Sequence, residues 1–513
     1  MPELQPVITA TAPSRRSGRF TDETMEPRLP LAMAASAPET SPPTNRYLEG
    51  AYAPVAEEVT LTDLRVTGTL PPELDGRYLR NGPNPLGPVD PATYHWFLGD
   101  AMVHGLRLRD GRAEWYRNRW VRSTKVSELL GEAAAPGDRH GGMETANTNV
   151  IGLGGRTLAI VEAGARPVEL GDRLDTIAHT DLGGSLPHGY TAHPKVDPGT
   201  GLLHAIGYHW ARPNVLEYTV IDPTQGAVIH RVDVPVPGNP MCHDCSITEG
   251  HLVIYDLPVT FNLDVVAAGT SSFPYVWDDA YGARVGVMPL GGQPEEVRWF
   301  EVDPCYVFHP MNARESRVAD GSLEVTLDVV RHPSMFRTDL HGPDEGPSSL
   351  WRWRLRLGPD GEPSGPVRET RLDDRPIEFP RVDERLVGRP ARFGWANVLS
   401  SGGDNLAWED SGLVRYDFLG GDLSGPNERT DAVTATDVPM GAGRAPGEAV
   451  FVPRSDGAAE DDGWYLMLVG DRAEGTTTLD VLPAEDPTAG AVAQVHLPVR
   501  VPLGFHGNWI PLR

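Results

Sequence analysis

From Tyr47 onward the chain repeats one texture. Short runs rich in Val, Ile, Leu, Tyr and Trp are each broken by Gly, Pro, Asp or Asn. RTLAIVEAG (156–164), GLLHAIGYHW (201–210), HLVIYDLP (251–258), SLEVTLDVV (322–330), SLWRWRLRLG (349–358) and GWYLMLVGD (463–471) have the length and composition of strands. The 56 glycines and 49 prolines supply turns between them and leave few places for long helices. RWVRSTKVSELLGEAA (119–134) is the best helix candidate. So many short antiparallel strands cannot form one sandwich. They need a closed or radial arrangement that protects sheet edges, and an all-β propeller leads. No internal repeat at the ~40–45 residue period of regular propellers is visible, so periodicity alone leaves the fold open.

Several runs alternate. In LWRWRLRL, Trp351, Trp353, Leu355 and Leu357 interleave with arginines. Period two predicts one packed face and one solvated face. Gly154-Gly155 in IGLGGRTLAI (151–160) predicts a hairpin turn, not a phosphate cradle. No G-x-S-x-G elbow, P-loop or dinucleotide-binding glycine motif is present.

The formal charge is 45 − 71 = −26, with the acids dispersed. That excludes a nucleic-acid partner, because no basic stripe exists to release counterions. Three cysteines exclude a disulfide scaffold and fit a reducing compartment, so the expected location is cytoplasmic. No apolar run reaches the ~18 residues of a spanning helix. Residues 1–45 are rich in Pro, Ser, Thr and Ala and read as a mobile extension, with 46–513 a single domain. Ser14-Arg15-Arg16 and the later LPLAMAASA (29–37) resemble a twin-arginine export signal, but Asp22, Glu23 and Glu26 intervene.

The sixteen histidines hold the chemistry of interest. His193, His243, His309 and His506 each lie beside a turn former (Pro194, Asp244, Pro310, Gly507) and near an apolar strand. Their wide spacing excludes a one-helix motif and permits convergence only if several strands point to a common axis. A second metal reading uses sulfur: Cys242, Cys245, Cys305 and His309 have the composition of a Cys₃His zinc site. The plain alternative is three buried thiols.

Several motifs agree with one family. DGRYLRNGPNP (75–85), HWFLGDAMVHGLRL (95–108) and WYRNRWVRS (115–123), with TAHPK, HDCSIT, FHPMNA and FHGNW, resemble the carotenoid cleavage oxygenases, in order from Tyr47 to Arg513. The resemblance implies a seven-bladed β-propeller with a helical or loop cap over its top face. It implies one Fe(II) per chain on the axis, held by His193, His243, His309 and His506. Three glutamates that orient ligand histidines match Glu162, Glu378 and Glu448. At the first of these the family commonly has Trp-Glu-Gly-Gly, where this chain has Val161-Glu162-Ala163-Gly164.

The implied reaction is oxidative scission of a conjugated C=C bond of a carotenoid or apocarotenoid by O₂, with no catalytic side chain beyond the metal centre. The alternative is a stilbene-cleaving, lignostilbene-type dioxygenase. That branch places a lysine before the first glutamate, where this chain has Val161, and often a tyrosine where it has Trp120. Trp96, Phe97, Val161, Phe308, Trp395 and Phe505 are candidate tunnel residues. A peripheral membrane contact is also implied, with 259–277 the candidate segment.

Overall fold

The computed structural model describes residues 44–139, 144–399, 411–418 and 431–512. The expected mobile extension and the export-signal residues lie outside the described residues, apart from Thr44 and Asn45. Asn45 is buried, and its side-chain amide donates to the Pro91 and Tyr94 carbonyls.

The strands form eight antiparallel sheets: seven are the blades of a β-propeller, and the eighth is the two-stranded pair Val259–Phe261 with Tyr275–Trp277. The strand nearest the axis in each blade is labelled in chain order: β1 Asn149–Leu153, β2 Lys195–Val196, β3 Cys245–Ile247, β4 Pro310–Arg317, β5 Ile377–Arg381, β6 Val450–Pro453 and β7 Gly507–Pro511. Neighbouring inner strands touch: β2 with β3, β3 with β4, β4 with β5, β6 with β7, and β7 with β1. The two ends of the described chain close the ring. β7 pairs with Gly76–Pro83 from the N-terminal side, while Val66–Gly68 pairs with Ala493–Leu497 on the neighbouring blade. Closure of this kind fastens the first and last blades together, leaving the outermost strand of each blade, such as Ala227–Pro235, as an edge.

All six runs singled out from the sequence contain strands. Gly154 (φ +55°) and Gly155 (φ +83°) make the two-residue hairpin, with Leu153 opposite Arg156. Both need positive φ, which glycine adopts without strain. The helix expected within 119–134 is shorter: α1 spans Thr124–Leu130. Ser123 Oγ accepts from the Val126 N–H at its start, and Gly131 (φ +69°) ends it. Upstream, Arg119 and Trp120 belong to the strand Arg112–Trp120.

Two-faced burial corrects the expected solvated face of LWRWRLRL. Arg352 and Arg354 are buried with Trp353 and the leucines, because a blade is covered on both sides by its neighbours, while Arg356 at the end of the run is exposed. The buried cations are paired. Arg352 sits directly across from Asp328, with Nε 2.6 Å from Oδ1, and Arg314 reaches Oδ2 at 3.0 Å.

The cover near the site consists of loops and short 3₁₀ turns rather than long helices. Arg46–Leu48, Gly50–Tyr52 and Trp96–Leu98 contribute Tyr47, Tyr52 and Trp96 to one aromatic cluster. Tyr47 stacks on Trp96 at 5.2 Å, and Trp96 meets Phe505 at 4.5 Å. Among the described residues, no helix is long and apolar enough to cross a membrane.

Candidate metal centre

One positional rule builds most of the site. Each inner strand begins near the axis, so the residues just before it are delivered to the hub. His193 precedes β2, His243 precedes β3, His309 precedes β4 and His506 precedes β7. Glu448 precedes β6, and Glu378 is the second residue of β5. Pro310 opens β4, a place where a missing N–H costs the ladder nothing. Glu162 arrives differently, from the turn after the strand Arg156–Ile160.

The four imidazoles converge. One nitrogen from each lies within 4.8 Å of the others, and all four rings are buried. Three turn their outer nitrogen to a carboxylate: His243 Nδ1 to Glu162 Oε1 (2.9 Å), His309 Nδ1 to Glu378 Oε2 (2.5 Å) and His506 Nδ1 to Glu448 Oε1 (3.0 Å). Donation from Nδ1 leaves each Nε2 with a lone pair facing inward. His243 Nε2 and His309 Nε2 then stand 3.2 Å apart, two acceptors with no proton between them. His193 Nε2 is buried without a hydrogen-bond partner. Facing lone pairs of this kind suit a cation, and neutral imidazoles braced by carboxylates are a common donor set for one.

Electrostatics favour the neutral form at two of the rings, His193 and His309. Burial, reinforced by the neighbouring histidines, keeps His193 well below the usual imidazole range. Burial also pushes His309 down to about 3, despite Glu378. For His243, burial acts downward but the Glu162 carboxylate outweighs it and raises the pKa. Glu448 would be raised by burial, yet Arg381 and then His506 hold it down at about 2. Glu378 is likewise held below the carboxylate range: burial opposes, and His309 followed by His332 prevails.

His332 went unnoticed in the sequence reading. Its Nε2 donates to Glu378 Oε1 at 2.8 Å, and its ring lines the cavity above the cluster. A signal existed. His332-Pro333 repeats the His-Pro pair of His193-Pro194 and His309-Pro310.

The sulfur reading fails. Cys242, Cys245 and Cys305 are buried free thiols, and among the described residues none joins a group able to hold a metal. Burial raises all three thiols, with Cys245 and Cys305 pushed up to about 12.

A cavity of about 80 Å³ lies against His243, His309 and His506. Trp96, Phe97, Val161, Phe308 and Phe505 line it, and Tyr208 adds a hydroxyl-bearing ring. Trp395 does not. Its indole is buried against Phe451 and Tyr465, and Nε1 donates to the Ala449 carbonyl at 2.9 Å. A buried indole needs such an acceptor, and only the packing between blades supplies it. Trp120 is also a core residue, bonded through Nε1 to the Asn84 carbonyl, so it cannot bear on substrate choice by contact. Among the described residues that line this cavity, none is a lysine or arginine.

Comparison with known proteins agrees with this architecture. Residues 52–511 match the family model described as retinal pigment epithelial membrane protein. The chain is 46% identical to a carotenoid cleavage oxygenase of Mycobacterium tuberculosis, over 91% of this chain and 98% of that protein. Among solved structures it resembles lignostilbene dioxygenase of Pseudomonas brassicacearum (TM-score 0.77, 26% identity, covering 92% of this chain and 100% of that one). It also resembles cobalt-substituted Synechocystis apocarotenoid oxygenase (TM-score 0.73, 27% identity, 90% and 97%). The chain therefore belongs to the carotenoid cleavage oxygenase family, a class of seven-bladed propeller oxidoreductases with a metal-binding hub.

Proposed function

We propose that the protein is a non-haem Fe(II) dioxygenase that cleaves one conjugated C=C bond of a carotenoid or apocarotenoid. Both atoms of O₂ enter the products, R–CH=CH–R′ + O₂ giving R–CHO + R′–CHO, so no outside reductant is required. His193, His243, His309 and His506 hold one iron per chain, and Glu162, Glu378 and Glu448 brace three of them. The observation that carries this reading is four buried imidazoles with inward lone pairs beneath an aromatic chamber.

Iron held by four nitrogens would supply open positions for O₂ activation. The protein's own part is positioning. Carboxylate bonds at three Nδ1 atoms fix ring orientation and tautomer and offset metal charge. Phe97, Phe308 and Phe505 offer a water-poor surface against which a flat polyene can lie. Residues 46–513 would act as one catalytic unit.

Val161 on the cavity wall favours a polyene over a phenolic stilbene, because no cation is present to meet a phenolate. A lipid-soluble substrate must also be collected. α2 (Leu263–Ala267), inside the 259–277 segment, exposes Leu263 (58%) and Val266 (40%), which supports peripheral contact with a bilayer surface.

The test is product mass after incubating iron-loaded protein with apocarotenals and a hydroxylated stilbene side by side. Two shorter aldehydes from an apocarotenal are expected. Turnover of the stilbene alone would replace this reading with the lignostilbene-type one.

A further inference from the structure

The imidazole cluster divides the hub into two chambers of opposite character. The aromatic chamber described above lies against His243, His309 and His506. A second, of about 730 Å³, lies against His193, His309 and His506 and extends along the inner strands. Its wall is polar. Lys195 Nζ lies 2.8 Å from Asp244 Oδ2, and Arg381 NH1 lies 3.1 Å from Glu448 Oε1. At its outer end it reaches exposed side chains, among them Val196 and Asp456.

Charge on this wall is balanced: four lysine and arginine side chains are matched by four carboxylates. A hydrated cation would therefore be neither trapped nor turned away. The chamber has room for on the order of 20 water molecules, at ~30 Å³ each. The aromatic chamber offers the reverse. It is about one-ninth as large and lined mainly by carbon. Stripping a small ion of its water to enter such a space costs several kcal/mol or more.

We propose that the polar chamber is the route by which a divalent metal ion enters and leaves the hub, opposite to the side that takes the organic substrate. The inference rests on reading the four histidines as a metal site. It separates two kinds of traffic. An occupied aromatic chamber would leave metal exchange unhindered, and an occupied hub would leave substrate entry unhindered. Asp244 is the buried carboxylate beside this path at His193, with Oδ2 4.0 Å from Nδ1 and its charge shared with Lys195.

The experiment follows Co(II) alone binding to chelator-stripped, full-length protein by visible absorption, in wild type, Val196→Trp and Val161→Trp. Val196→Trp narrows the polar mouth. It is expected to slow uptake by about tenfold or more while final stoichiometry and turnover of the iron-loaded enzyme stay unchanged. Val161→Trp fills part of the aromatic chamber with the residue the family commonly has there, and is expected to load at the wild-type rate. Val196→Arg, at the same exposed position, gives a second variant if tryptophan disturbs the strand. It should slow uptake in a salt-dependent way. Equal loading by wild type and both Val196 variants, or slowing confined to Val161→Trp, would overturn the route. Wild-type protein that never binds Co(II) would instead overturn the metal site itself.

Discussion

His332 and His309 share one carboxylate. His309 Nδ1 meets one oxygen of Glu378 and His332 Nε2 meets the other, at 2.5 and 2.8 Å. The backbone beside this clamp is unusual. Phe379 has φ +53°, a left-handed conformation that costs an aromatic residue about 1–2 kcal/mol. Its N–H donates to Glu378 Oε2 at 2.6 Å, so the kink helps aim the carboxylate.

Glu378→Gln should therefore weaken metal binding by about 10–100-fold, since an amide supplies one acceptor where two imidazoles donate. Equilibrium dialysis against Co(II) measures this. His332→Gln should give a smaller loss with the same stoichiometry, because its ring braces Glu378 and lies outside the four converging nitrogens.

His243→Ala should reduce bound iron from near one per chain to a small fraction, read by elemental analysis after desalting. It also leaves Glu162 buried without its imidazole, and losing one partner of a buried pair typically costs about 3–5 kcal/mol. Urea unfolding with and without chelator separates the two losses.

Val161→Lys should lower turnover of apocarotenals by about tenfold or more, because it brings an ammonium into a wall lined mainly by carbon. Competition between an apocarotenal and a hydroxylated stilbene, read by product ratio, should shift toward the phenol.

Ala163 has φ +62°, beside Gly164 at φ +101°. Ala163→Gly should raise stability by about 0.5–1 kcal/mol, relief of left-handed strain exceeding the added freedom of the unfolded chain. The midpoint of urea unfolding reports it.

Asp328 gives a pH dependence remote from the hub. Burial would raise its pKa, but Arg352 and then Arg314 hold it at about 2, below its ordinary 3.8. A depressed carboxylate contributes stability above its unfolded pKa and loses it as pH falls through the folded value. The contribution is about 2 kcal/mol at neutral pH and should vanish between about pH 4 and pH 2. Asp328→Asn should remove that part of the acid dependence and destabilise the protein at pH 7, because Arg352 and Arg314 stay buried.

Strands and turns were legible because each is a local matter of period, β-branched content and glycine placement. The all-β class followed. The blade count did not, since the loops between blades vary too much in length to leave a visible repeat. Family motifs supplied it. The converging histidines were recognised through the same motifs, because their separation along the chain says nothing about distance in space. The misreadings came from burial. Arg352 and Trp395 were assigned from residue type, while their positions depend on which surfaces the neighbouring blades cover. His332 was missed because its role is to hold Glu378, a partner remote in sequence.

The pairing of β7 with Gly76–Pro83 has a further consequence. The four imidazoles come from four separate sheets, one of them the sheet that fastens the ring. An ion at the hub thus works as a rivet through all four, and unzipping that one seam withdraws His506 and loosens it. Protease nicking near the seam should accelerate on chelation, even though the cut lies far from the ion.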